Sequence, residues 1–473
     1  MKILKLFIDE NIKTWKKFST KLAIILILLS LIAALGMSKI LQYIDEKNEI
    51  QVVYESDWKS NIEEQIKTYK EELSDEFISQ NEKAEIENRI KICEIRLENN
   101  IETYSSNWRN TILREMENDG TIDQDLLNLV TKNDFENYIK FKRENIKKQL
   151  DNKEITQEEY NDQISLLDLR EKYQIGNNNG EDKTTNEKEN VLTKISNEQK
   201  SIRTGINYRT NKVLSVDEKK KYEDDIKISI YKLEHNITDN EYSSSQNYRT
   251  IFESLAPSFV MVLIAIFAMI VAGSAISSEI STGTIKFWAL TPNKRWKILT
   301  AKVLSLVFYL IIITLIMSIL SIICSNIFFK TQGYEYFFVK DGNVTKIGNT
   351  MFIIEYYFAK LIPVVVFAIF AFMLSVITRN TSVALGLSLA TYMGNSIAMF
   401  IINSYIKKDW VKFIPFNNLN IAYKIFPNFN SALSTGLENT ASTSLSFSII
   451  VLTICIILMC VTMYDSFNKR DII

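Results

Sequence analysis

The chemistry open to this chain is set first by what it lacks. A single histidine, His235, in 473 residues leaves no Ser-His-Asp or Cys-His nucleophile system and few ways to build a zinc site. The 13 glycines nowhere form the Gly-rich cradle of a nucleotide-binding loop, so any ATP used must be bound by another chain. Four cysteines, Cys93, Cys324, Cys455 and Cys460, put only one in the polar middle of the sequence, where no internal disulfide can form. Ionisable residues near the apolar runs, Glu253, Glu355, Lys360, Lys302 and Asp465, all fall toward run ends. Ion-coupled carriers and proton pumps need such groups at mid-membrane, and an intramembrane enzyme needs paired carboxylates or a His cluster. The expectation is a protein without a catalytic residue, bound cofactor or metal of its own.

One loop, residues 277–297, holds a denser pattern. Gly283 and Pro292 bracket a stretch long enough for about two helical turns, and Ile285, Phe287, Trp288 and Leu290 give it apolar bulk that an aqueous loop does not favour. Two readings stand side by side: a knob for a groove on a partner, or a loop resting on lipid headgroups with Trp288 and Trp296 as interface aromatics and its lysines on phosphates.

The elements that must position this loop follow from the charge distribution. Residues 45–250 carry 32 basic and 45 acidic side chains, a balance of −13, against −1 for the whole chain. Long apolar runs fill the flanks, and six are span-length: 22–44 with Lys39 snorkelling, and near 255–276, 299–327, 352–377, 382–405 and 445–463. Residues 1–21 form an amphipathic interfacial leader, with Leu4, Ile8, Ile12, Trp15 and Phe18 on one face and lysines on the other. Six spans put both ends on one side. Lys286, Lys294, Arg295, Lys297, Arg379, Lys469, Arg470 and the basic leader all fall there, which makes that side cytoplasmic and 45–250 extracytoplasmic, although Lys407, Lys408 and Lys412 lie opposite. The expected fold is an all-α integral membrane protein, with six transmembrane helices and a mainly helical, coiled-coil-like extracytoplasmic domain.

Within that domain, apolar spacing predicts two antiparallel helices over 58–101, broken at 79–81, and a helical tract over 135–173 ended by 176–187. The segments Leu97-Glu98-Asn99-Asn100-Ile101 and Leu233-Glu234-His235-Asn236-Ile237 echo each other, by duplication or by chance. In span five, Gly386, Ala390, Gly394 and Ala398 form a small-residue face for close helix approach, either within the bundle or at a dimer seam, with Asn395 beside it. After span five, Phe413-Ile414-Pro415-Phe416 and Ile425-Phe426-Pro427-Asn428-Phe429 suggest a re-entrant or surface helix pair, or a plain loop.

The run Glu279, Gly283-Thr284-Ile285-Lys286, Leu290, Pro292, Arg295 and Lys302 resembles the second cytoplasmic loop of ABC-2 type permeases, the membrane subunits of bacterial ABC exporters. Phe467-Asn468-Lys469-Arg470-Asp471 is similar to the end of those chains. The likeness covers all six spans in outline, and the insert between spans one and two looks like that of a Gram-positive branch that includes peptide-antibiotic resistance and sodium-extrusion permeases. The resemblance implies a permease homodimer or heterodimer on separate ABC ATPase subunits, which carry the ATP and Mg, embedded in the lipid bilayer and binding no nucleic acid. Residues 284–291, with Trp288 at their centre, then form the coupling helix, and the leader helix also touches the ATPase. Glu279 pairs with a basic loop residue or holds the loop's first turn, unless it is a solvated span end. Two other readings are a mechanotransmission permease working its outer domain, whose relatives usually have four spans, and a membrane receptor or structural coiled-coil protein.

Overall fold

The computed structural model describes residues 3–52, 58–74, 78–103, 105–177, 183–209, 211, 213–237, 248–285, 294–331, 333–406, 408–427, 429 and 443–469. In chain order its helices are α1 (Ile3–Lys16), α2 (Phe18–Val52), α3 (Trp58–Leu73), α4 (Gln80–Glu98), α5 (Trp108–Asp119), α6 (Gln124–Lys132), α7 (Phe135–Asp151), α8 (Gln157–Lys172), α9 (Lys183–Thr204), α10 (Val216–Glu234), α11 (Tyr248–Ser274), α12 (Ser277–Ser281) and α13 (Arg295–Phe328). Strands β1 (Tyr336–Lys340) and β2 (Asn343–Ile347) follow, then α14 (Asn349–Thr378), α15 (Thr381–Tyr405), α16 (Ile421–Ile425) and α17 (Leu445–Lys469). The chain divides into two units: residues 43–246 with 337–345, and the remainder.

The larger, apolar unit holds, among the described residues, six helices long and apolar enough to cross a bilayer: Phe18–Ile44, Tyr248–Ser281, Arg295–Phe328, Asn349–Thr378, Thr381–Tyr405 and Leu445–Lys469. The protein is therefore a multi-pass membrane protein with an essentially all-helical fold. Helix α14 lies at the centre, and its Phe352, Tyr357, Phe367 and Phe372 are almost fully buried. On α13 the buried line Ser305, Thr314, Ser318, Ser321 and Ser325 presents small polar side chains, which let neighbouring backbones approach. Lys39 is held where its span ends: its ammonium donates to Gln42 Oε1 at 2.9 Å and lies 4.5 Å from the centre of the Phe329 ring.

At one end of this unit a buried ion pair ties three spans together. Glu253, 1% exposed, accepts from Arg249 Nε at 2.9 Å, from Asn349 Nδ2 at 2.7 Å, from Ser325 and from the Tyr334 amide. Arg249 also donates to the Thr331 carbonyl and to Asn326 Oδ1, each at 2.8 Å. Glu253 thus lies near a span end, as its position in the sequence suggests, and is buried there.

The same end is closed by the segment after α15, which folds as two 3-10 turns (Asp409–Phe413, Pro415–Asn418) and the five-residue α16, shorter than the helix pair expected from its prolines and aromatics. Asn417 and Asn403 exchange amide hydrogen bonds at 2.9 and 3.1 Å, and Phe426 and Phe429 pack edge-on against Phe352. This is a satisfied polar lock beneath an aromatic cluster.

The polar unit is built from helical hairpins, α3 on α4, α7 on α8 and α9 on α10, over two cores. Trp108 stacks on Tyr138 at 4.5 Å in the first; Ile175, Leu192, Ile195 and Leu233 fill the second. The tract over 135–173, read as one helical run, is two helices. Residues 152–156 turn the chain, with Lys153 at φ +59°, and Thr156 caps α8. Both echo segments close 19-residue helices that open in capping boxes, Ser79 with Glu82 and Ser215 with Glu218. Each then stops the same way: Asn100 and Asn236 adopt φ near +50°, and the amides of Ile101 and Ile237 reach back to Arg96 and Lys232 at 2.9 Å. Residues 337–345 join this unit as the tip of the β1–β2 hairpin, turned by Asp341-Gly342, and Lys232 lies 5.0 Å from the Phe337 ring. Burial pushes the Cys93 thiol up to about 11, which makes it an inert core residue.

Glu198 on α9 gives this unit a pH dependence. It is 1% exposed, with no hydrogen bond to either carboxylate oxygen among the described residues. Burial, against the opposing Lys194 and with Asp225 of α10 adding to it, pushes its pKa up to about 8. Asp225 is raised too, chiefly by burial, and Lys221 and Arg209 complete the charged surroundings. Between the unfolded value, 4.5, and about 8 the folded state binds the extra proton, so stability falls as pH rises through that window. From pH 6 to 9 the loss is on the order of 2 kcal/mol. Melting of the full chain in detergent should show this fall, and Glu198→Gln should flatten it.

Candidate functional site

Three segments meet at the other end of the apolar unit: α12 and the first turns of α13, which flank the loop, and the distant α1. Glu279 Oε1 accepts from Lys13 Nζ at 2.6 Å and from Lys302 Nζ at 2.9 Å, and Lys302 also donates to Glu10 Oε2 at 3.0 Å. Glu279 is 8% exposed and Lys302 6%. Partial burial works against the Lys13 ammonium, but its hydrogen bond to Glu279 and the field of Glu10 outweigh that and raise its pKa. Lys302 is therefore not a solvated span end, and among the described residues the Glu279 carboxylate is held by Lys13 and Lys302.

The leader helix reaches this network by turning a different face inward from the one its apolar spacing suggests. Phe7 meets Phe308 edge-on at 5.3 Å, Trp15 meets Tyr309 at 5.1 Å, and Asn11 is buried between them, its amide donating to the Phe7 carbonyl at 2.9 Å. Leu4, Ile8, Ile12 and Phe18 remain exposed on the unit's surface. The predicted stripe is thus split: Trp15 docks on α13, and the aliphatic residues are left for lipid.

Between the span core and Glu279 the helix breaks at Ala275–Ile276, separating α11 from α12. The freed amides of Ile276 and Ser277 donate to Ser375 Oγ of α14 at 3.3 and 3.1 Å, and Ser277 Oγ bridges to Thr381 Oγ1 at 2.8 Å. Backbone opened at membrane depth must find such partners. Ser375→Ala should destabilise the chain by ~1–3 kcal/mol and raise hydrogen exchange at Ile276 and Ser277 selectively.

The loop root is a helix stop. Gly283 sits at φ +70° with no described residue within 4 Å of its Cβ position, so glycine is needed there for conformation. The turn lets the Ile285 amide and Thr284 Oγ1 donate to the Glu279 carbonyl at 3.0 and 3.2 Å. Glu279 therefore holds the first turn through its backbone and the leader through its side chain. Arg295 Nη1 lies 3.5 Å from the Asn468 carbonyl, which brings the tail to the far root of the loop. Of the expected coupling residues, Glu279, Gly283, Thr284 and Arg295 gather here, while Lys286, Trp288, Leu290 and Pro292 lie outside the described residues.

The face Gly386, Ala390, Gly394 and Ala398 is exposed along its length, and no described residue lies within 4 Å of a Cβ at Gly386 or Gly394. Within this chain the close approach to α15 is made elsewhere, where a Cβ on Gly273 of α11 would meet Leu385 at 2.8 Å. Asn395 Oδ1 is buried without a hydrogen-bond partner among the described residues.

Sequence reading missed Glu10, Lys13, Ser375 and the Arg249–Glu253 pair as site or framework residues. The available signals were an acid on a basic leader and charges at i, i+4 at the mouth of an apolar run. No cluster of three or more His, Cys, Asp or Glu side chains able to hold a metal occurs among the described residues.

Comparison with known proteins gives similarity but no activity. Over 255 residues, 53% of this chain and 76% of the other, it is 27% identical to the uncharacterized protein YhcI of Bacillus subtilis strain 168. Over 219 residues, 46% of this chain and 81% of the other, it is 27% identical to the uncharacterized membrane protein YdbK of the same strain. No solved structure matches. The family model described as "Protein of unknown function (DUF2705)" matches residues 228–473, which include Glu279, Ser375, Lys302 and every span after the first. With more than half its length matched, this chain belongs to the DUF2705 family.

Proposed function

We propose that this protein is the membrane permease subunit of an ATP-binding cassette exporter of the ABC-2 type, driven by separate ATPase subunits that hold ATP and Mg. The observation that carries the reading is the ion network at the root of the 286–293 loop. Through Glu279, Lys302, Lys13 and Glu10, a displacement of that loop reaches the leader helix and two spans at once. The serine-bound break at 275–276 supplies a hinge between the root and the span core. In this reading both termini and the loop face the cytoplasm, and residues 45–250 lie outside. The exposed small-residue face of α15 meets a second permease chain, where Asn395 finds its partner.

Trp288 is the anchor of the coupling loop in this account. In the complex with its ATPase, Trp288→Asp should abolish substrate-stimulated ATP turnover while the chain still folds and inserts. Unchanged stimulated turnover would remove the loop from the mechanism.

A further inference from the structure

The ion network is one wall of a cavity of about 310 Å³, bounded by Lys13, Thr14 and Lys17 of the leader segment and by Ala275, Glu279 and Ser305. A bound water needs only ~10–15 Å³ by the same kind of measure, so the space admits a larger group. Its polar demands are uneven. Lys13 and Lys302 are taken up by Glu10 and Glu279. Lys17 faces those two cations, and its pKa is lowered by partial burial and by Lys13 and Lys302. Among the described residues, the hydroxyl of Ser305, 3% exposed, has no hydrogen-bond partner, and the buried Glu279 Oε2 has no donor.

These demands call for one ligand with two ends. A bare anion would satisfy Lys17 and Ser305 but would meet the carboxylates of Glu279 and Glu10. A bare amine would satisfy Glu279 Oε2 but would be repelled by three lysines. The location adds a constraint: a 34-residue helix is ~51 Å long against a hydrocarbon core of ~30 Å, so its last turns lie at headgroup depth. Lys302, eighth in its 34-residue span, and Glu279, near the end of its own, fall in that layer when the spans are centred on the hydrocarbon core.

We propose that this cavity binds a phosphoethanolamine group, its phosphate beside Lys17 and the Ser305 hydroxyl and its ammonium donating to Glu279 Oε2. A phosphatidylethanolamine headgroup and soluble phosphoethanolamine present the same chemistry. A choline headgroup has no N–H for Glu279, and phosphoglycerol has no cation. The site stands on the cavity alone and is independent of the transporter reading.

The test is thermal melting of the full chain in detergent, titrated with phosphatidylethanolamine, phosphatidylcholine, phosphatidylglycerol or soluble phosphoethanolamine. The ethanolamine lipid should stabilise with a midpoint about tenfold or more below the other two lipids, the effect of one charge-assisted hydrogen bond. Lys17→Met and Ser305→Ala, which remove the phosphate contacts, should each raise the midpoint for the ethanolamine lipid severalfold. A matching shift from the soluble compound assigns the source to a free metabolite; a shift from the lipid alone assigns it to the bilayer. Equal shifts from all three lipids, a larger shift from phosphatidylglycerol, or an ethanolamine-lipid midpoint that neither variant moves would overturn the proposal.

Discussion

Glu253→Gln should be among the most damaging single polar changes in the apolar unit, lowering stability by ~3–5 kcal/mol. The carboxylate side chain is fully buried and receives donors from Arg249, Ser325, Asn349 and the Tyr334 amide. A glutamine of the same shape keeps one acceptor but turns an NH₂ toward those donors, and it leaves the Arg249 charge, 10% exposed, without its anion. The double variant Arg249→Met, Glu253→Gln should lose less than the two single losses combined, because no lone charge then remains. Melting temperatures of the four proteins in detergent measure this coupling. A single-variant loss below about 1 kcal/mol would mean the pair is hydrated.

The second large effect belongs to Glu279. Glu279→Gln removes the anion shared by Lys302, whose side chain is 5% exposed, and Lys13, whose side chain is 47% exposed. A cost of ~3 kcal/mol is expected, nearly all of it from the buried lysine. Lys13→Met should cost no more than ~1 kcal/mol, since an exposed pair contributes little. The sharper readout is local: in Glu279→Gln, amide exchange along Ile3–Lys16 should rise while that of α14 stays protected. Leader protection unchanged from the parent would show that Phe7 and Trp15 hold α1 without the ion network.

Both effects rest on residues whose types were visible in the sequence and whose partners were not. A run of 20 apolar residues leaves the chain little choice in a bilayer, so all six spans were legible. Helical periodicity likewise yielded α3, the break near Ser79 and α4. It failed at 152–156 because Ile155 keeps the apolar rhythm through a turn made by backbone conformation at Lys153. The β1–β2 hairpin carried its Asp341-Gly342 signal in plain view, but two five-residue strands have no long-range pattern to support it. Glu279 was singled out, and a partner in the loop was the natural guess from proximity. Of its two partners, Lys302 is 23 residues away on the next span, and Lys13 is 266 residues away and becomes a neighbour only when Phe7 and Trp15 seat the leader on α13. The leader's inward face is polar and aromatic, not aliphatic, and a spacing argument that weighs aliphatic residues most selects the opposite side.

Co-purification tests the central claim most directly. The full chain in detergent is combined with candidate ABC ATPase chains, and ATP turnover is measured with and without it. The account predicts a stable complex whose turnover changes on assembly and reverts when Trp288 is replaced by Asp. No complex, and turnover indifferent to this chain, would contradict the permease assignment and leave a multi-span membrane protein whose polar unit, not its loop, is the working part.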